Sequence, residues 1–178
     1  RHNLAVSLAE IRRVRQSIWE GSLWELVERR CRSHPRMMDG LRALGGQADW
    51  IEGLDPTSRS TCFYLGPESA KRPEVLRYAT RIDRIELCGK VLVADPGTEE
   101  EGFDHVLWFL PPFGPYPKEL AETAPFNAEV PAAADGAGIA QAFANLKRLM
   151  EINPEATFEL RLKGASEYGL ELEEVGFI

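Results

Sequence analysis

Much that would place a chain of 178 residues is missing from this one, and each absence excludes something. No run approaches the roughly 18–20 consecutive apolar residues that cross a bilayer. Arginines stud the opening helix, so the first residues form no secretory signal. A cytoplasmic protein without membrane association is the expectation. Cysteines number only three, Cys31, Cys62 and Cys88. An odd count without CxxC spacing indicates neither a disulfide framework nor a self-contained metal knuckle, and three ordinary thiols are the simpler reading. His2, His34 and His105 stand far apart, with no HExxH or HxH spacing, so no histidine site forms locally. GxGxxG and GxxxxGKS/T loops are absent, and Gly136-Ala137-Gly138 is too sparse to replace them. Neither an internal repeat nor a low-complexity segment is present. Asp95, Asp104, Glu119 and Glu122 could be imagined as acid/base pairs, but Glu119 and Glu122 follow Pro117-Lys118 and read as acids that start a short helix. Taken by themselves, these residues contain no convincing active site.

Lysine is also missing from the first 42 residues, and what stands in its place is arginine. The formal net charge is -7, which argues against a phosphate-rich partner. Its distribution argues otherwise: nine arginines face five acids in residues 1–42, leaving -11 for residues 43–178. Arginine favours planar, bidentate contacts to carboxylate or phosphate. Arg12, Arg13 and Arg15 are the candidate RNA-binding residues; the competing reading pairs them with glutamates along a solvated helix.

Leu4, Leu8, Ile11, Val14 and Ile18 recur at spacings of three and four, predicting a helix over about 4–19 with Arg12, Arg13 and Arg15 largely off its apolar stripe. Gly21 ends it. Ser22 with Glu25 makes a capping-box pattern for a second helix, whose buried side is expected to be Leu23, Leu26, Val27, Arg30 and Cys31. Ser33 is the expected N-cap of a third helix with Pro35 in its first turn and Met37, Met38, Leu41 and Leu44 inward. Gly45-Gly46 closes the helical region, and the turn chemistry of Gly53–Ser60 puts a boundary between residues 45 and 60. Thr61–Leu65 reads as a strand, Arg72-Pro73-Glu74 as a helix start with Val75, Leu76, Ala79 and Ile82 following. Val91–Ala94 and Val106–Leu110 are apolar runs suited to strands covered on both faces. Glu99–Glu101 is expected to be a solvated loop. A helix over Asp135–Ile152, with Ile139, Ala142, Phe143, Leu146 and Leu149 inward, precedes an alternating strand over Thr157–Leu162. The expected fold class is α/β (α+β), with helices over residues 1–48 and a small α/β domain with a central sheet over 49–178.

Pro111–Leu120 holds four prolines within seven residues, which fix torsions and remove donors. Two readings stand: a recognition ledge presenting Phe113 and Tyr116 sideways to bases or a neighbouring domain, or a stiff connector.

Three stretches, HNLAVSLAEIRRVRQSIWEGSLWELVERRCRSHP (His2–Pro35), FYLGPESAKRPEV (Phe63–Val75) and PPFGPYPKELAETAPFNAEVP (Pro111–Pro131), together resemble the archaeosine-type tRNA-guanine transglycosylases of archaea in sequence, order and spacing. Ala124 stands where a tyrosine is common. The resemblance covers roughly residues 2–152 and implies base exchange. In it, guanine 15 in the D-arm of tRNA is replaced by 7-cyano-7-deazaguanine, with tRNA as partner and a homodimer compatible. It further implies an aspartate nucleophile in a TIM-barrel domain, a second carboxylate for proton transfer, and a structural zinc held by three cysteines and one histidine. Of these groups only His2 falls on the present sequence, as the fourth zinc ligand. The opening Arg1-His2-Asn3-Leu4, without an initiator methionine, then reads as the tail of a catalytic domain, and the chain alone is expected to exchange no base. A separately encoded accessory subunit, or the paralogous amidino-transferring archaeosine synthase, are the alternatives.

Overall fold

The computed structural model describes residues 2–54, 62–131 and 136–162, apart from the side chains of Ala48 and Asp49. Four helices come first: α1 (His2–Glu20), α2 (Leu23–Cys31), α3 (Pro35–Leu44) and the short α4 (Ala48–Glu52). They lead to α5 (Pro73–Arg81), β1 (Gly89–Ala94), β2 (His105–Leu110), β3 (Gly114–Pro117), α6 (Gly136–Ile152) and β4 (Ala156–Arg161). The α/β class expected from the sequence is the observed one. The sheet has the order β3-β2-β1-β4. Here β1 runs parallel to both β2 and β4, whereas β3 returns antiparallel to β2.

Val91, Leu92, Val93 and Ala94 are all buried, so β1 is covered on both faces as its apolar run requires. Strand β2 alternates between buried and half-buried positions instead. Val91, Val93, Leu107 and Phe109 point into one core with Val75, Ile82, Ala142, Leu146 and Leu149 from α5, α6 and the turn after α5. The helical periodicity of α5 and α6 is therefore satisfied in one place.

The proline-rich segment departs from both sequence readings. Its residues 114–117 are strand β3 at the sheet edge, where missing N–H groups are tolerated. Phe113 and Tyr116 are core residues, with Phe113 fully buried, so no ledge presents them. Phe113 sits edge-on to Tyr64, Tyr78 and Phe126, and Tyr116 stacks on Phe126 at 4.4 Å. Asn145 Nδ2 of α6 donates to the Phe113 carbonyl at 2.7 Å. At Gly114, with φ +89°, a Cβ would lie 2.5 Å from the Ala142 carbonyl oxygen, so only glycine permits this approach of β3 to α6.

Other local expectations are corrected by distant partners. Residues 62–65 form no strand, only a parallel bridge in which Tyr64 N donates to Glu129 O at 3.0 Å and Glu129 N to Cys62 O at 2.9 Å. Gly45-Gly46 does not stop the helical region; a 3-10 turn over Gly45–Gln47 leads into α4. Glu100 is not simply solvated, because it pairs with Lys118 and accepts from Trp108 Nε1 at 3.3 Å. Those contacts, Lys118 foremost, hold its carboxyl below the usual range. The helix over 135–152 begins at Gly136 among the described residues, with Asp135 outside them. Most of the Gly53–Ser60 turn, Thr61 and residues 163–178 likewise lie outside the described residues.

Candidate nucleic-acid interface and the buried node behind it

Helix α1 contains the three candidate RNA-binding arginines, and its geometry separates them. Its neighbour is α2, reached through Glu10 and Ser17, one heptad apart. Arg30 of α2 grips Glu10 with both ends of its guanidinium, at 2.6 and 2.9 Å, and Ser17 is buried. Arg13 donates to the same Glu10 at 3.2 Å. Arg30 first, then Arg13, holds the Glu10 carboxyl below its ordinary range. Arg13 is thus engaged, as the ion-pair reading anticipated. Arg12 and Arg15 are exposed and have no ion pair among the described residues.

The apolar stripe does not face α2. Leu4, Leu8, Ile11, Val14 and Ile18 are all exposed, as is the adjoining Trp19 at 89%. Arg15 does not fall off this stripe: it follows Ile11 by four residues and precedes Ile18 by three, so the continuous helix puts it among them. Arg12 flanks the stripe. An exposed apolar face of this size on a helix is a surface awaiting a cover.

Helix α2 inverts its expected orientation. Glu25 and Glu28, not Arg30 and Cys31, are its most buried residues; Arg30 is exposed and Cys31 half-buried. They turn inward because Arg72, at the entry to α5, is itself buried. Its Nε and one terminal nitrogen meet the two oxygens of Glu28 at 2.7 and 2.9 Å, and its other nitrogen meets Glu25 at 2.8 Å. The Tyr64 ring lies 5.0 Å from the guanidinium. Ser69 Oγ donates to Glu28 and accepts from Leu65 N at 3.1 Å, while Glu25 accepts from Phe63 N at 3.2 Å. Burial acts to lower the Arg72 pKa, but the Glu28 hydrogen bonds and the charges of Glu28, Glu25 and Glu74 outweigh it and hold the group above its ordinary value. Glu25 therefore does not close a capping box, and Ser22 makes no side-chain cap bond. The third helix is likewise capped one residue later than expected, by His34, whose Nδ1 accepts from Arg36 N at 3.2 Å.

All three stretches that carried the family resemblance meet here. His2–Pro35 supplies Glu25 and Glu28, Phe63–Val75 supplies Tyr64, Ser69 and Arg72, and Pro111–Pro131 supplies Phe113 and Glu129. The node is a joint, holding the helical segment to the α/β layer.

His2 opens α1 as an exposed residue, and its side chain makes no hydrogen bond among the described residues. Cys31, Cys62 and Cys88 are free; Cys31 ends α2, and the other two lie outside the helices and strands. Among the described residues no group of three or more His, Cys, Asp or Glu side chains could hold a metal. Nor is any described helix long and apolar enough to cross a membrane.

No family model matches the chain. Curated relatives do. It is 46% identical over 177 residues to the tRNA-guanine(15) transglycosylase of Methanosarcina acetivorans, covering 99% of this chain and 36% of the relative. The Methanosarcina mazei protein of the same name is 44% identical over the same shares. That of Haloferax volcanii is 48% identical over 160 residues, 89% of this chain and 31% of the relative. The chain spans about a third of the length of these relatives, and over nearly all of its own length it is homologous to a segment of the archaeal tRNA-guanine(15) transglycosylases.

Proposed function

We propose that this chain is a supporting segment of a cytoplasmic tRNA-guanine(15) transglycosylase, in which guanine of the tRNA D-arm is exchanged for 7-cyano-7-deazaguanine by residues outside the segment. The observation that carries this reading is the match to 99% of the chain at 46% identity, over only 36% of a relative. The exposed stripe of α1 supports it, since a longer polypeptide of that kind would supply the cover. Residues 1–48 then belong with the catalytic part and residues 49–178 form the accessory part. The Arg72 node couples the two.

In this reading His2 lends its imidazole to a zinc ion whose three thiolates come from elsewhere in the longer protein. The zinc would serve structurally, closing a tetrahedral site and taking no part in base exchange. Arg12, at the stripe's edge and without an ion pair among the described residues, is the arginine of α1 best placed for phosphate. Arg13 would have to leave Glu10, and Arg15 would meet the docked body, where a carboxylate would answer it.

Two outcomes test the proposal. The isolated chain incorporates no labelled guanine into tRNA, and incorporation by it would contradict the division of labour. Co-expressed with the rest of the Methanosarcina acetivorans enzyme as a second polypeptide, the chain co-purifies with it, and Ile11→Asp with Ile18→Asp abolishes this. Retention by the double variant, or a homodimer through α1 that excludes the second polypeptide, would sink the docking role of the stripe.

A further inference from the structure

The proline-rich segment and helix α5 enclose a groove that the proposal above leaves without a role. It has a volume of about 370 Å³, within the range of ligand-sized sites. One wall is the run from Pro117 through Leu120 to Phe126, and the other is the outer face of α5 and the turn after it. Arg77, Arg81 and Arg84 follow one another at spacings of four and three, which aligns them along that face.

The polar side chains of the groove sort into two groups. Glu74 faces Arg72 at 3.7 Å, Arg77 pairs with Glu52 at 3.4 Å, Tyr78 donates to the Pro115 carbonyl, and Thr123 Oγ1 donates to Leu120 O at 2.7 Å. Burial pushes the Tyr78 hydroxyl pKa up, so it stays a donor. Arg81 and Arg84 are different: both are exposed, and neither has an ion pair or hydrogen bond among the described residues. They stand in a part of the chain, residues 43–178, whose formal charge is -11, where an arginine has acids in plenty to pair with. The rest of the lining is apolar, formed by Ile85, Leu120, Ala124, Pro125 and Phe126 with Pro117.

We infer that this groove binds a single strand of RNA, its base lying on the apolar wall and its phosphates held by Arg81 and Arg84. Two guanidiniums beside an apolar surface hold a nucleic-acid backbone by its phosphates and leave the base to pack on Leu120 and Ile85 without selection. The engaged state of Glu74, Arg77, Tyr78 and Thr123 leaves no side-chain group to read a base edge, so binding is tolerant of sequence. The inference rests on tRNA being the partner of the longer protein. It adds a contact site to that reading and assigns the proline-rich segment a function.

The test is fluorescence anisotropy of the intact chain with a labelled, mixed-sequence RNA 12-mer across a salt series. Arg81→Glu with Arg84→Glu weakens binding at least tenfold and flattens the plot of log K against log salt by about 1.4, the value for two single-strand phosphates. Leu120→Asp, which leaves both arginines in place, also weakens it. A control of equal charge change, Arg36→Glu with Lys147→Glu, alters exposed residues outside the groove and leaves the slope as it was. Loss in the control as large as in the arginine variant overturns the proposal. So does failure of the wild-type chain to bind the RNA, or equal affinity for an acidic peptide of the same charge. The membership of the chain in a transglycosylase is decided separately, by base exchange in the longer protein.

Discussion

Replacing Arg72 with methionine lowers the stability of this chain by about 3–5 kcal/mol, the usual cost of removing one partner from a buried ion pair. Arg72 and Glu28 each keep about 1% of their side-chain surface, and Glu25 keeps 7%. Without the guanidinium, three carboxylates, those of Glu25, Glu28 and Glu74, remain in a site from which water is excluded, and Ser69 satisfies only part of Glu28. Lysine would restore the charge but not the two parallel contacts to Glu28, so Arg72→Lys recovers only part of the loss. Removing the carboxylates as well, in Glu25→Gln, Glu28→Met, Glu74→Gln and Arg72→Met together, recovers most of it, because a buried ion cluster replaced by neutral groups is close to neutral. Urea unfolding of the series measures each step. An Arg72→Met chain within 1 kcal/mol of wild type would show that the node contributes no coupling between the helical segment and the sheet.

The second large effect is at Phe113. Phe113→Ala costs about 3–5 kcal/mol through lost burial and the cavity left behind. For a chain of this size the melting temperature falls on the order of 10 °C. Phe113 is fully buried, and edge contacts to Tyr64, Tyr78 and Phe126 at 5.5, 6.0 and 5.5 Å add to its packing. Calorimetry decides the matter. A melting temperature unchanged by the substitution would return Phe113 to the exposed ledge that the prolines suggest.

What could be read from the sequence divides along the range of the interactions. Helices α5 and α6 and strands β1, β2 and β4 follow from periodicity and apolar runs, because their neighbours in the chain share the pattern that their packing demands; the span of α1 follows from a periodicity that its contact with α2 does not use. Strand β3 was hidden by Pro115 and Pro117, whose rings argue against a strand unless an edge position is known. The inward face of α2 was hidden more deeply. Nothing near Glu25 and Glu28 announces their burial, since the charge that draws them in is Arg72, more than forty residues later. One signal was available: Glu25 and Glu28 lie three residues apart on one helical face, beside a run of arginines that would otherwise pair outward. The stripe of α1 was legible, but its exposure was not, because periodicity shows that a face wants a cover without saying what covers it. For the same reason His2 could be marked only by resemblance. A lone imidazole has no chemistry until its partners are known.

The measurement that bears most directly on the chain's role is a segment exchange. This chain replaces the corresponding 177 residues of the Methanosarcina acetivorans enzyme, and release of labelled guanine from position 15 of tRNA is followed. If the chain is the supporting segment of such an enzyme, the chimaera exchanges base at a rate within about tenfold of the parent, or about 1.4 kcal/mol in barrier. A chimaera that folds, stays monodisperse and releases no guanine would contradict that account.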